Sequence, residues 1–400
     1  MDDVVVIDTL AAVTAVSVLA AVLVGLFPRL PVPQVVLLLA GGMLLGPSAL
    51  DVGTAQDVRV LADVGLGFVF LLAGYELDPR LFREDAGRRA LLGWTVSLLL
   101  ALGVVGLLHA GGVVEAFLPV ALGLTTTALG TLLPVLREKG LLAGRLGRYL
   151  LAAGGVGELL PVLAIAVFLG SQGRVAALVS LGAVAALALT LGLLRRGVRD
   201  GSRLARAVVA GQDATAQITL RATVLLLITL IAVTEQFHLD AVLGAFLAGM
   251  VLRRWVGGAA PQLEAKLDAV GYGFFVPVFF VASGMALDLG SIADAPLRLV
   301  LFFVLMLAVR GGPALLVYRR VLPLRQRAQT ALVSATALPV LVALTEIGLR
   351  SGHMLPENAA ALVGAGVVTV LLFPALAVAL DRRPAAPAPV PAAGGPAGPA

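Results

Sequence analysis

The chain has 400 residues, 60% of them hydrophobic and 13% charged, where an ordinary soluble domain carries about 25% charged residues. Apolar runs of roughly 20 residues recur along it, each long enough to cross a hydrocarbon core about 30 Å thick. The composition is that of a polytopic membrane protein. Cysteine is absent, which excludes disulfides, thiolate metal centres and cysteine nucleophiles. His109, His238 and His353 each stand beside a predicted loop, so a histidine-built metal centre is not expected. The net charge of +5 resides in loops, where it marks orientation; no nucleic-acid partner is expected.

Hydrophobic runs broken by charged or Gly/Pro-rich loops predict an all-α fold of thirteen transmembrane helices. Their centres fall near residues 16, 40, 67, 100, 124, 159, 184, 227, 247, 277, 309, 337 and 369. The basic residues test this division. Arg80, Arg83, Arg88 and Arg89, then Arg137, Lys139, Arg145 and Arg148, and later Arg319, Arg320, Arg325 and Arg327 all follow odd-numbered spans. Even-numbered loops hold only Arg174, Arg298 and Arg350, with Arg59 at a span edge. Lys and Arg accumulate on the cytoplasmic side, so the N-terminus is expected outside and the C-terminus inside the cell (plasma or inner) membrane. Residues 1–381 then form one membrane domain. Residues 382–400, rich in Pro, Ala and Gly, have nothing large and apolar to bury and are expected to be disordered. The loop from about Arg195 to Gln217 reads as a basic cytoplasmic linker.

In chain order, the first polar feature at mid-depth is "TTTALG", Thr125 to Gly130, in the fifth span, with Pro134 following. Clustered hydroxyls beside Gly and Pro predict an unwound or kinked helix, and irregular backbone is tolerated at that depth only where it is buried or lines a cavity. The sixth span carries Glu158, ten residues beyond Arg148 and so about 15 Å into the membrane. A charge there costs at least about 2.5–3.5 kcal/mol, and intramembrane ionisable groups are functional by default. Pro161 has no N–H, so the Gly157 carbonyl loses its helical donor. A freed carbonyl beside a carboxylate is half of a dehydrated cation site.

Arg310 in the eleventh span lies twelve residues from Arg298 and nine from Arg319, also at mid-depth. Glu158 and Arg310 are therefore expected to face one cavity, where they can pair. A purely structural Glu–Arg pair is the alternative. The twelfth span contains "SATALP", Ser334 to Pro339, which repeats the pattern of the fifth in the opposite direction. Corresponding broken spans in two halves point to a transporter's substrate site. The remaining acids, Glu76 among them, fall near span ends and are expected to be solvated at the interface. Glu346 is kept as a secondary candidate because its span is broken.

The motifs "LPVPQVVLLLAGGMLLGPSAL" (Leu30–Leu50), "ADVGLGFVFLLAGYELD" (Ala62–Asp78), "LGAFLAGMVL" (Leu243–Leu252) and "PVFFVASGMALDL" (Pro277–Leu289) occur in an order that resembles the membrane domain of the monovalent cation/proton antiporters. The likeness is to the bacterial branch related to sodium/proton antiporters and potassium-efflux systems. The resemblance implies two inverted repeats whose broken helices cross in a mobile core, and a homodimer held by a separate scaffold. It matches Thr125, Thr126 and Thr127 to the first break and Pro339 to the second. Glu158 falls at the ion-binding acid and Arg310 at its basic partner. Electrogenic relatives carry two adjacent acids and a lysine, whereas this chain has Gly157-Glu158 and an arginine.

One titrating carboxylate beside a permanently charged arginine predicts electroneutral exchange of a monovalent cation, Na⁺ or K⁺, for H⁺, with no cofactor. Two rivals stand beside this reading: an ion-coupled solute symporter, and a transport-inactive scaffold or sensor with the same fold. An enzyme is not expected. The sequence has no His-Glu-x-x-His motif, no Gly-x-Ser-x-Gly elbow and no paired mid-membrane aspartates.

Overall fold

The computed structural model describes residues 3–27, 33–77, 83–168, 174–194, 217–237, 239–256, 261–287, 290, 296–350, 352 and 354–380. The expected linker after residue 194, the tail from 382, His238 and His353 lie outside them. All regular structure among the described residues is helical. The helices are α1 (Asp3–Leu26), α2 (Gln34–Leu45), α3 (Arg59–Glu76), α4 (Asp85–Ala110), α5 (Phe117–Gly123), α6 (Leu129–Glu138), α7 (Gly144–Phe168), α8 (Arg174–Leu194), α9 (Ile218–Gln236) and α10 (Ala241–Val256). They continue with α11 (Gln262–Met285), α12 (Pro296–Val317), α13 (Leu324–Ala335), α14 (Pro339–Arg350) and α15 (Pro356–Ala379).

Eight helical runs among the described residues are long and apolar enough to cross a membrane, and Gln34–Leu45 and Leu178–Leu191 are shorter apolar helices. Leu107 and Leu297 are 76% and 83% exposed. Large apolar side chains turned outward from a helical bundle are what contact with lipid requires, because lipid tails are as apolar as leucine.

Glycines set the closest helix contacts. A Cβ on Gly74 would overlap the Phe246 carbonyl, and one on Gly249 the Leu71 carbonyl, so α3 and α10 pack backbone to backbone. Gly42 and Gly284 do the same for α2 and α11, against the Val281 and Leu39 carbonyls. Two helices widen into π-helical turns, α11 at Gly271–Phe275 and α12 at Met306–Gly311. Such turns insert a residue and often mark functional positions. The second of them carries Arg310.

The fifth and twelfth predicted spans are each two helices. Residues 124–128 separate α5 from α6, and residues 336–338 separate α13 from α14. The cause is local. The Thr125 and Thr126 hydroxyls donate to the Leu122 and Gly123 carbonyls at 2.8 Å each, capping the end of α5. In the second break, Thr336 Oγ1 donates to Leu332 O at 3.0 Å. Pro339 disfavours helical backbone at the residue before it and is itself pre-set to open a helix.

Candidate ion-binding site

The two breaks cross. Ala128 N–H donates to the Thr336 carbonyl at 2.8 Å, and Thr127 Oγ1 donates to the Ser334 carbonyl at 2.7 Å. Thr369 on α15 braces the second break by accepting the Ala337 N–H at 3.2 Å. Five of the sequence-derived residues, Thr125, Thr126, Thr127, Ser334 and Thr336, are thus buried at one crossing, with Gly130 just beyond it. Pro134 lies in α6, and Glu346 lies well along α14, away from the crossing.

Glu158 and Arg310 both reach this crossing and are buried, at 5% and 4% exposed. They meet at one crossing without a direct pair: Glu158 and Arg310 are not among the ion pairs of the described residues. Glu158 Oε1 accepts the Gly130 N–H at 3.1 Å, with the Leu129 amide also directed at the carboxylate. These are the first amides of α6, so the acid sits at the positive end of a half-helix. Arg310 Nε donates to Thr127 Oγ1 at 3.1 Å, and Nη2 donates to the Ala153 carbonyl at 2.9 Å. Through Thr127 it is one further hydrogen bond from Ser334 O, in the last turn of α13, whose end carries partial negative charge. The acid is thus met by a helix end, and the arginine by a hydroxyl of the first break and a carbonyl of α7, rather than each by the other.

The freed Gly157 carbonyl is also accounted for. α7 continues through Pro161, and the donor that the proline lacks is replaced by Thr127 N–H, at 3.0 Å from Gly157 O. That carbonyl therefore ties α7 to the first break and keeps a second lone pair. Gly157 has a second role. A Cβ there would overlap Thr127 Oγ1, Thr127 Cβ and Arg310 Nη2. The position before the acid is glycine because the arginine fills the space a side chain would take.

One candidate residue is not visible from the sequence. Glu76, expected at the interface, ends α3 beside Gly130: its Oε2 lies 3.5 Å from where a Gly130 Cβ would be. That oxygen is buried and has no hydrogen-bond partner among the described residues, a costly state that calls for a ligand. Its carboxylate feels the charges of Glu158, Asp268, Arg137 and Arg253. Glu76 and Glu158 thus approach Gly130 together. Two carboxylates among hydroxyl and carbonyl oxygens are the donor set that a hard monovalent cation prefers, and either acid can instead take a proton.

Helices broken at mid-length and crossing beside a buried acid are the architecture of a secondary transporter. The profile of the sodium/hydrogen exchanger transmembrane family matches residues 16–378; the chain belongs to that family, which is one of transporters. Cation/H(+) antiporter 17 of Arabidopsis thaliana is 27% identical over 395 residues, covering 92% of this chain and 47% of its own length. The glutathione-regulated potassium-efflux system protein KefC of Salmonella heidelberg (strain SL476) is 26% identical over 375 residues, covering 91% of this chain and 59% of its own. The chain therefore spans about half the length of these curated relatives. Its fold matches that of the sodium proton antiporter MjNhaP1 from Methanocaldococcus jannaschii, with a TM-score of 0.61 at 17% identity over 95% of this chain and 96% of that one.

Proposed function

We propose that the chain is a secondary active antiporter exchanging a monovalent cation, Na⁺ or K⁺, for H⁺ by alternating access, with the two ions competing at Glu158. The observation that carries this is the seating of Glu158, a membrane-depth carboxylate held by the first amides of α6 where two broken helices cross. The relatives named as cation/proton antiporter and potassium-efflux protein support the substrate class. In this reading the chain crosses the plasma or inner membrane thirteen times, N-terminus outside, as two inverted repeats, and works as a homodimer. The opposed broken pairs α5–α6 and α13–α14 support the repeats.

Glu76 refines the mechanism. With a cation bound, both carboxylates are charged and share it; with a proton bound, Glu158 is neutral and Glu76 stays charged. The site then carries the same net charge in both moving states, and exchange is one for one and electroneutral. If Glu76 also took up a proton in each cycle, a second charge would move and the rate would depend on voltage.

Sealed proteoliposomes holding a pH-sensitive dye test this. With an imposed proton gradient, Na⁺ or K⁺ should discharge it at equal rates at zero and −100 mV (both imposed in the assay, about 2.3 kcal/mol apart per moved charge). Glu158→Gln should abolish the signal in protein that still inserts. Competition at one carboxylate further requires the half-saturating cation concentration to rise as pH falls, by up to about tenfold per unit. Wild-type exchange in Glu158→Gln would remove Glu158 from the mechanism.

A further inference from the structure

Glu76 and Glu158 stand beside the same glycine but belong to different parts of the bundle. Helices α2, α3, α9, α10 and α11 pack backbone to backbone. Beyond the contacts of Gly42, Gly74, Gly249 and Gly284, a Cβ on Gly65 would overlap the Phe275 carbonyl and one on Gly244 the Leu230 carbonyl. The end of α3 is tied into this group. Arg253 Nη1 on α10 donates to Tyr75 O at 2.9 Å, and the Tyr75 hydroxyl donates to Glu264 Oε1 on α11 at 3.1 Å.

The broken helices form a second group with α7, α12 and α15. Thr127 N–H ties the first break to α7 and Ala128 N–H ties it to the second break. A Cβ on Gly366 of α15 would overlap the Ala337 carbonyl, and one on Gly311 of α12 would crowd the Ala331 carbonyl. Glu158 belongs to this second group. Where the groups meet at the end of α3, side chains make the contact: Gly130 faces Glu76 Oε2, and Gly155 of α7 faces Leu77 Cδ1. Backbones locked through glycine move as one body, whereas a seam of side chains can shear. Hard cations sit about 2.3–2.6 Å from their oxygen ligands, so a slip of about 3 Å along this seam takes Glu76 out of reach of an ion held at Glu158. The chain runs from Glu76 toward Arg80 and Arg83, which puts this end of the seam on the cytoplasmic side.

Resting on the antiport reading above, we propose that Glu76 is a one-sided cation ligand: it completes the site while the crossing faces the cytoplasm, and it stays behind with α3 when the second group carries Glu158 outward. Two carboxylates then hold the ion on the cytoplasmic side and one holds it on the external side. The site fills at a lower cation concentration inside than outside, and the ion leaves more readily once it has been carried out. Coupling runs both ways: the factor that Glu76 adds to inward affinity is the factor by which a bound cation favours the inward arrangement. Because Glu76 keeps its charge in place, the exchange stays electroneutral.

The test compares the two faces. Inside-out membrane vesicles present the cytoplasmic face to added Na⁺ or K⁺, and right-side-out vesicles present the external face. In each, the half-saturating concentration is read from discharge of an imposed proton gradient. The wild-type value should be lower at the cytoplasmic face. Glu76→Gln should raise the cytoplasmic value by roughly tenfold and the external value by less than about twofold, so that the two converge. Glu76→Asp keeps the charge and should lie nearer the wild type. A second measurement reads the seam. The chain has no cysteine, so Leu77→Cys with Gly155→Cys places one thiol pair across it. Crosslinking the pair with copper–phenanthroline in air should stop exchange, and reduction should restore it. If Gly155→Cys itself disturbs the site, the two-face comparison decides alone. Equal shifts at the two faces, no shift at either, or full exchange by crosslinked protein overturns the proposal and leaves the antiport reading standing. A wild-type protein that exchanges no monovalent cation at either face overturns the antiport reading, and the proposal with it.

Discussion

Gly157→Ala adds one methyl group and tests the seat of Arg310. The new Cβ would overlap Thr127 Oγ1 and Arg310 Nη2, so the guanidinium must leave Thr127 Oγ1, the Ala153 carbonyl, or both. A hydrogen bond from a charged group contributes about 1.5–3 kcal/mol, and overpacking a buried site costs about 1–3 kcal/mol. Alanine in place of glycine in a helix returns up to about 1 kcal/mol. The net expectation is a loss of about 2–4 kcal/mol. It is read as a lower thermal midpoint of the purified protein in detergent, with exchange reduced in proteoliposomes. Gly182→Ala is the control: it also lies in a helix, but a Cβ there meets nothing within 4 Å, so its midpoint should hold or rise. If Gly157→Ala behaves like Gly182→Ala, the guanidinium does not occupy that space and the account of the Gly157-Glu158 pattern is wrong.

Three further substitutions separate binding from support. Glu76→Gln removes a buried oxygen with no partner and a like charge beside Glu158, so the thermal midpoint should hold or rise. The half-saturating cation concentration in the proteoliposome assay should climb by roughly tenfold, the equivalent of about 1.4 kcal/mol. Arg310→Lys cannot reproduce the two-pronged contact to Thr127 and Ala153; it should lower the midpoint by several degrees while cation-dependent exchange persists. Thr369→Val deletes the acceptor for Ala337 N–H and leaves a buried donor unpaired, a cost of about 1–3 kcal/mol. Its effect should appear as faster hydrogen exchange confined to the 336–338 break.

Some of this was legible in the chain because it is written in residue types. Thr125, Thr126, Thr336 and Pro339 break their helices through local hydroxyl–carbonyl bonds and a missing N–H, and local effects are what a sequence carries. Glu158 was visible because a carboxylate in an apolar run has no bland explanation. Glu76 was hidden by the same logic. As the last residue of its helix it reads as solvated, and it is the tertiary packing of α3 against α6 that brings that helix end beside Gly130. The sequence likewise put Glu158 and Arg310 at one depth without showing that each takes partners of its own. That depends on how α6, α7 and the first break pack at the crossing.

That last arrangement makes its own prediction. If Glu158 and Arg310 were partners, removing one would strand the other, and removing both would restore much of the lost stability, because an uncompensated buried charge costs about 3–5 kcal/mol. If each is instead held by partners of its own, the α6 amides for the acid and Thr127 and Ala153 for the arginine, the two act independently. Arg310→Gln should be costly alone, since it empties the contacts to Thr127 Oγ1 and Ala153 O. Glu158→Gln should be nearly neutral, because the amide oxygen can still accept from Gly130 N–H. The double variant should then lie within about 0.5 kcal/mol of the sum, as independent sites do. Measured as denaturant-induced unfolding of the purified protein, a double variant more stable than Arg310→Gln alone by well over that margin would refute this arrangement. Additivity would mean that the arginine holds the crossing in place and leaves the acid free to trade its proton for a cation.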